Sequence, residues 1–324
     1  MALRSAGPPR EDGTSRVPRG LLLVNSKSRS GATGAEPALD ALRAGGIALC
    51  EPRPDENWSD AIRARARDVQ MVVVGGGDGS LNAAATGLIE TKLPLGIIPL
   101  GTGNDLARTL GLPLDPVKAT QVILDGKTRD IDLGDVNGKP YFNVASVGLS
   151  VELAKKLDPD VKRRFGRFGY IVAASRVLSS ARPFTVVIDD GETRARGRTY
   201  QVAIGNGRFY GGGNAIHHAA EIDDGVLHLY SLEMKSIWKL VALAPFFRRG
   251  RQHLFEEVRS LQSESFEIVT RRPRPINADG EIIAQTPARF SIRRDAVRVF
   301  APQVEAPGES LVAGLVSRVT GASG

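Results

Sequence analysis

Cysteine is nearly missing from this chain of 324 residues: Cys50 stands alone. No disulfide can close within the chain, and a metal site built from cysteines is excluded. Aromatic residues are sparse at 6%, so any core must be packed mainly by Val, Leu, Ile and Ala. No uninterrupted apolar run approaches the roughly 18 residues that a membrane-spanning helix requires, which leaves only peripheral contact with a bilayer. The N-terminus also lacks the apolar stretch of a secretory signal. These absences point to the cytoplasm. Nucleic acid is not an expected partner, because neither a nucleic-acid-binding motif nor an aromatic stacking platform is visible.

What is present is a basic balance, with a net charge of +7 and a pI near 9.7, and 36 glycines, several of them in tight clusters. Excess positive charge concerns partners rather than fold. It is concentrated between residues 161 and 200, where nine Lys and Arg face three acids. A solvated face or an anionic surface contact both account for such a run. The length is comfortable for two domains.

Residues 1–19, rich in Pro, Gly, Arg and Ser, read as a disordered tail. Order is expected from Gly20, where Leu21-Leu22-Leu23-Val24 reads as a buried strand. A helix is expected over 36–44, a strand over 47–50 and a helix over 58–68. Met71-Val72-Val73-Val74 is the clearest strand, followed by a helix from near Leu81. Leu95–Leu100 is another strand, with a helix over 106–110. Strands alternating with helices predict a parallel α/β sheet. After about residue 130 short strands take over, at 185–189, 200–204, 226–231, 265–269, 288–292 and 297–300, with helices near 167–180 and 235–248. The expected division is a nucleotide-binding α/β domain over 20–133, a mainly antiparallel β domain over 134–302, and a C-terminal tail over 303–324. Pro113–Pro116 and Gly134–Gly138 bracket the crossing.

Two strands end in glycine-rich turns carrying one acid each: Gly75-Gly76-Gly77-Asp78-Gly79-Ser80, and Gly101-Thr102-Gly103-Asn104-Asp105. Glycine allows close backbone approach to a ligand, and amides ahead of a helix N-terminus suit phosphate. Asp78 would repel phosphate unless it acts through a metal ion or on a proton; the plainer reading makes it a helix N-cap. Neither a Walker A nor a Rossmann fingerprint fits. Ligands of parallel sheets bind outside the carboxyl ends of the strands, which places both turns in one crevice. A third segment, Asn277-Ala278-Asp279-Gly280-Glu281, reads by itself as a β-turn centred on Asp-Gly.

Taken together, Gly-Gly-Asp-Gly-Ser, then Gly-Thr-Gly-Asn-Asp-Leu-Ala-Arg, then Asp-Gly-Glu resemble the diacylglycerol kinase catalytic-domain family, and more closely the soluble bacterial YegS-type lipid kinases. Sphingosine and ceramide kinases are relatives, and NAD kinases more distant ones. The resemblance covers roughly residues 20–302. It includes Phe142–Gly148, the basic segment Gly166–Leu178, and Gly205-Asn206-Gly207 followed by Gly211-Gly212-Gly213.

The resemblance implies an ATP-dependent lipid kinase. ATP would be lined by Gly77, Asp78, Gly79, Ser80, Leu81, Asn82 and Ala83, by Thr102, Asn104 and Asp105, and by Asn25 with the polar loop after it. Glu281 matches the proton acceptor, with Asp78 as a second catalytic carboxylate. Asp224 matches a Mg²⁺ ligand, flanked by Glu221 and Val226, the latter through its carbonyl. Ser80 stands where threonine is commoner, Ala83 where an acid often follows the asparagine, and Ser26 where proline is usual. The expected partners are ATP, Mg²⁺, a membrane lipid at an anionic bilayer surface and, optionally, a second copy in a homodimer. Residues 237–249 join an apolar run to a basic end, which suits either a bilayer interface or a core helix. A kinase of a soluble substrate such as NAD, or a non-catalytic nucleotide- or nucleic-acid-binding module, are the alternatives.

Overall fold

The computed structural model describes residues 17–25, 31–156, 178–210, 214–215, 220–234, 236–237, 239 and 257–302. Residues 1–16 of the N-terminal tail, the C-terminal tail, the loop 26–30, most of the basic helix expected over 167–180, Gly211–Gly213, and all of 237–249 except Ile237 and Lys239 lie outside these residues; Arg19, expected in the tail, already belongs to the first strand.

The first half alternates strand and helix: β1 (Arg19–Val24), α1 (Gly31–Ala44), β2 (Ala48–Cys50), α2 (Trp58–Arg65), β3 (Met71–Gly76), α3 (Asp78–Thr91), β4 (Leu95–Pro99), α4 (Asp105–Thr109) and α5 (Pro116–Leu124). β1, β2, β3 and β4 pair in parallel, in the order β2-β1-β3-β4. Side chains of period two go to opposite faces. Leu21, Leu23, Val72, Val74 and Ile97 pack with Ala61 and Ile62 of α2 and Leu81, Ala84 and Leu88 of α3. Leu22, Val73 and Ile98 pack instead with Ala35, Leu39 and Leu42 of α1 and Ile123 of α5. Covering on both faces explains why these strands read as continuous apolar runs.

The second half runs β5 (Thr128–Val136), β6 (Lys139–Tyr141), β7 (Val144–Gly148), α6 (Leu149–Lys156), β8 (Phe184–Asp189), β9 (Arg194–Thr199), β10 (Gln201–Gly205), β11 (Phe209–Tyr210), β12 (Asn214–Ala215), β13 (Leu227–Leu232), β14 (Val258–Ser263), β15 (Ser265–Thr270), β16 (Pro275–Ala278), β17 (Glu281–Gln285) and β18 (Ala288–Phe300). A six-stranded antiparallel sheet, ordered β14-β13-β10-β7-β16-β17, faces the antiparallel part of the larger sheet. Val147, Val202, Ile204 and Leu229 from one side meet Val186, Ile188, Phe266 and Phe290 from the other. The expected class, a parallel α/β part followed by an antiparallel β part, is therefore observed.

Three local expectations changed. The helix expected near Leu81 begins at Asp78, so the second half of the glycine-rich turn is already helical. Residues 113–116 lead into α5, capped by Asp115, whose carboxylate accepts from the Lys118 amide at 2.9 Å. The two strands expected over 288–292 and 297–300 are one, β18, with its register against β5 shifting between Arg293 and Val297. Asp132, buried in β5, holds that irregularity by accepting from the Asp295 amide at 2.8 Å. β18 also lies beside β4, with Val299 opposite Leu95 in parallel. The end of the chain thereby joins the two halves into one ten-stranded sheet.

Candidate active site

β3 and β4 are in register from Val72–Leu95 to Gly76–Pro99, so their carboxyl ends sit side by side. The two glycine turns touch through their backbones. A Cβ on Gly101 would stand 2.6 Å from the Gly77 Cα, a distance no side chain tolerates. Asn104, at φ +50, clips its own turn shut: Oδ1 accepts from the Gly101 amide and Nδ2 donates to the Gly101 carbonyl, each at 3.0 Å. No side chain caps α3, because its N-cap is Gly77.

Asp78 ties the two turns together. Its Oδ2 accepts from the Asp105 amide and its Oδ1 from the Leu106 amide, both at 3.1 Å. It therefore caps α4, whose own N-cap Asn104 makes no side-chain cap bond. Asp78 is therefore not the N-cap of the helix it begins, as the plainer reading had it, because Gly77 holds that place; its carboxylate serves the first amides of α4 instead. A third donor, Asn143 Nδ2, reaches Oδ1 at 3.3 Å. A Cβ on Gly103 would lie 3.2 Å from Asp78 Oδ2 and 3.6 Å from Asp105 Oδ2, so the two carboxylates flank that glycine. Asn25 joins from β1, its amide donating to the Gly75 carbonyl at 3.0 Å and its Nδ2 to Ser80 Oγ at 3.2 Å. Thr102 is exposed at the tip of its turn. The Leu81 side chain packs in the core, so only its main chain can face a nucleotide.

Glu281 arrives from the far half. β16 and β17 form a hairpin whose two turn residues, Asp279 at φ +46 and Gly280 at φ +99, both have positive φ. This is the tight hairpin turn that Asp-Gly favours. It carries Glu281 to the first turn of α3, with Oε1 3.9 Å from where a Cβ on Gly79 would stand. Gly79 has no side chain to keep the two apart.

Asp279 anchors this hairpin. Its carboxylate accepts from three successive amides: Phe142 at 2.7 Å, Asn143 at 3.0 Å and Val144 at 3.0 Å. Burial pushes its pKa up to about 6; the amides pull the other way, and the negative charge of Asp78 adds to the rise. The sequence reading gave Asp279 and Asn143 no role. Their only signal was the presence of both segments in the resemblance.

A cavity of about 660 Å³ opens on one side of α3, between the ends of β1 and β2, the middle of α1 and the first turn of α3. Asn25, Leu39, Trp58, Gly79, Ser80 and Ala83 are among its walls. The segment 51–56 closes it. That segment was not singled out, although its place after a strand's carboxyl end was the available signal.

The turn after Glu221 is built around Asp224. Its carboxylate accepts from the Glu221 amide at 3.1 Å, the Val226 amide at 3.1 Å and His228 Nε2 at 2.8 Å. Gln262 Nε2 lies 3.3 Å from His228 Nδ1. Burial raises the Asp224 pKa, but the bonds from His228, Glu221 and Val226 outweigh it and hold the carboxyl below its ordinary value. Among the described residues no three His, Cys, Asp or Glu side chains gather as a metal cluster. An ion here would draw on one ionised carboxylate and main-chain carbonyls, an oxygen set that fits Mg²⁺.

The diacylglycerol kinase catalytic domain model matches residues 19–136. The YegS C-terminal NAD kinase beta sandwich-like domain model matches residues 143–301. The chain is 30% identical to a diacylglycerol kinase of Staphylococcus carnosus over 75% of this chain and 80% of that one. It is also 30% identical to a Klebsiella pneumoniae protein named "Probable lipid kinase YegS-like", over 89% and 97%. A solved structure described as a diacylglycerol kinase from Bacillus anthracis superposes with a TM-score of 0.72 at 23% identity, over 89% of this chain and 98% of that one, and bears on the fold alone.

Proposed function

The chain belongs to the diacylglycerol kinase catalytic-domain family, and on that premise we propose that it is an ATP-dependent lipid kinase. The observation that carries the reading is the approach of Glu281, from one half of the chain, to Gly79 in the glycine turn of the other.

Phosphoryl transfer needs positioning and charge neutralisation more than covalent help. The nucleoside would occupy the cavity beside Asn25 and Trp58, with its phosphates over the turns 77–80 and 101–103 and the N-terminus of α3. Asp78 and Asn104 fix the relative position of these turns. Mg²⁺ carried with the phosphates would neutralise their charge, and Asp105 and Asp78 are the carboxylates at hand to orient it. A second Mg²⁺ at Asp224, with the carbonyls of Glu221 and Val226, would brace the 221–226 turn. Glu281 accepts the proton of the acceptor hydroxyl as its oxygen attacks the γ-phosphorus. ADP leaves with the electrons of the broken bond, and the lipid phosphate is formed.

The acceptor is taken from a bilayer surface. Among the described residues no helix is long and apolar enough to cross a membrane, and the exposed arginines of β9 suit peripheral attraction to anionic lipid. The test is a thin-layer assay with labelled ATP, Mg²⁺ and lipid acceptors in detergent micelles, run beside NAD. Labelled lipid that disappears with Glu281→Gln is expected. Label in NAD and none in lipid would favour the soluble-substrate reading. No transfer to either, with nucleotide still bound, would leave a non-catalytic module.

A further inference from the structure

Asn143 sits where the two halves of the chain meet. Phe142, just before it, is buried in the core of the α/β half with Leu106 and Leu110 of α4. Ala145 and Val147 of β7, just after it, are buried in the core of the β half. We propose that Asn143 is a positioning residue for the transfer, which sets the Glu281 carboxylate at its working distance from the phosphate-bearing turn 77–80. The proposal rests on the lipid-kinase reading and deepens it.

Asn143 is 2% exposed and bonded on three sides. Its amide donates to the Asp279 carboxylate at 3.0 Å. Its side-chain Nδ2 donates to Asp78 Oδ1 at 3.3 Å. Its carbonyl accepts from the amides of Asn206 at 2.9 Å and Gly207 at 3.3 Å, and Asn206 Nδ2 also holds the Phe142 carbonyl at 3.0 Å. The residue is therefore fixed on its own account before it touches either carboxylate.

A short path then runs from one half to the other. Asp78 belongs to the glycine turn of α3, Asn143 bonds it through its side chain, and the Asn143 amide bonds Asp279. Asp279 and Gly280 form a tight turn with two positive φ values, which leaves the next residue, Glu281, little freedom. The Glu281 side chain is exposed, so its place follows from its main chain rather than from packing around it. The path also needs a donor in the middle. Asp78 and Asp279 both accept, and asparagine offers a donor to each, one from its amide and one from its side chain. An aspartate of the same shape would turn an acceptor towards Asp78.

The test is single-turnover transfer from labelled ATP, with the purified full chain in excess, to micelles carrying diacylglycerol, phosphatidylglycerol and a sphingoid base. Asn143→Ala should slow transfer about 10- to 100-fold, the scale of a base displaced from its substrate, and leave the KM for ATP near the wild-type value. Asn143→Asp, which keeps the shape and loses the donor, should do no better. The decisive readout is a cycle with Glu281→Gln, whose residual transfer is readable with enzyme in excess. Residues that act as a unit are not additive, so Asn143→Ala should cost little more once Glu281 is gone. Any effect that runs through Asp78 alone persists in that background and is thereby separated. If thermal melts show the Asn143 variants unfolded, Asp279→Asn carries the same cycle from the hairpin side. Losses that multiply in the cycle overturn the inference, because they mark general damage, and leave the kinase reading standing. Near-normal transfer by Asn143→Asp, or a defect confined to the KM for ATP, overturns it likewise. Absence of any lipid phosphorylation by the wild type overturns both.

Discussion

Replacing Asp78 by Asn keeps the size of the side chain and removes its charge. A metal or proton role would lose activity without touching the fold. The hydrogen bonds add a second consequence. Both oxygens of Asp78 accept, one from the Asp105 amide and one from the Leu106 amide. An asparagine can turn its oxygen to only one of them, and its NH₂ group then faces the other N–H. The first amides of a helix have no partner within it, so one stays unmatched beside buried Asp105. That omission costs about 1–3 kcal/mol. Loss of negative charge at the α4 N-terminus adds about 0.3–1 kcal/mol. A destabilisation of about 2–3 kcal/mol corresponds to a fall in Tm on the order of 3–5 °C for a chain of this size. Differential scanning fluorimetry with and without ATP, together with single-turnover transfer, measures both effects. We expect a lower Tm and a strong loss of turnover in Asp78→Asn. A Tm within about a degree of wild type would refute the capping argument, and near-normal turnover at saturating Mg²⁺ would refute the chemical one.

Other outcomes follow from the same structure. Asp279 has its pKa raised from 3.8 to about 6 in the folded state. The folded chain therefore holds this proton more tightly than the unfolded one. The stabilisation is complete below the unfolded value and is lost as pH rises through about 6, a change of about 3 kcal/mol. Urea midpoints should show this component between about pH 4 and 7 in the wild type and not in Asp279→Asn; equal profiles would remove it. Asp224→Ala should raise the Mg²⁺ concentration needed for activity and leave ATP binding nearly unchanged, and an unaltered Mg²⁺ titration would end the claim for that turn. Arg194, Arg196 and Arg198 are exposed at alternate positions of β9 and so share a face. Changing all three to Gln should weaken sedimentation with anionic vesicles by up to about 1 kcal/mol per residue at low salt. Equal binding of the wild type to neutral and anionic vesicles would contradict the electrostatic argument.

The sequence by itself determined what depends on near neighbours. The parallel strands were legible because both faces are covered and their apolar runs are unbroken, as in Met71–Gly76. The glycine turns were legible because close backbone approach admits no side chain, and the Asp-Gly hairpin because only a few residue pairs tolerate two positive φ values. Fold class, the order of the halves and the crevice at the strand ends followed from these. The start of α3 and the existence of α5 were less legible, since capping there involves a bare glycine and an Asp-Pro pair inside a segment that reads as linker. Tertiary structure alone decided the rest. Asp279 meets the Val144 amide across 135 residues, Asp132 meets Asp295 across 163, and Asp78 caps a helix 27 residues further on. A carboxylate carries no mark of which distant amides it will accept from. That choice is made when β18 closes the sheet beside β4 and the β16–β17 hairpin comes to rest against α3.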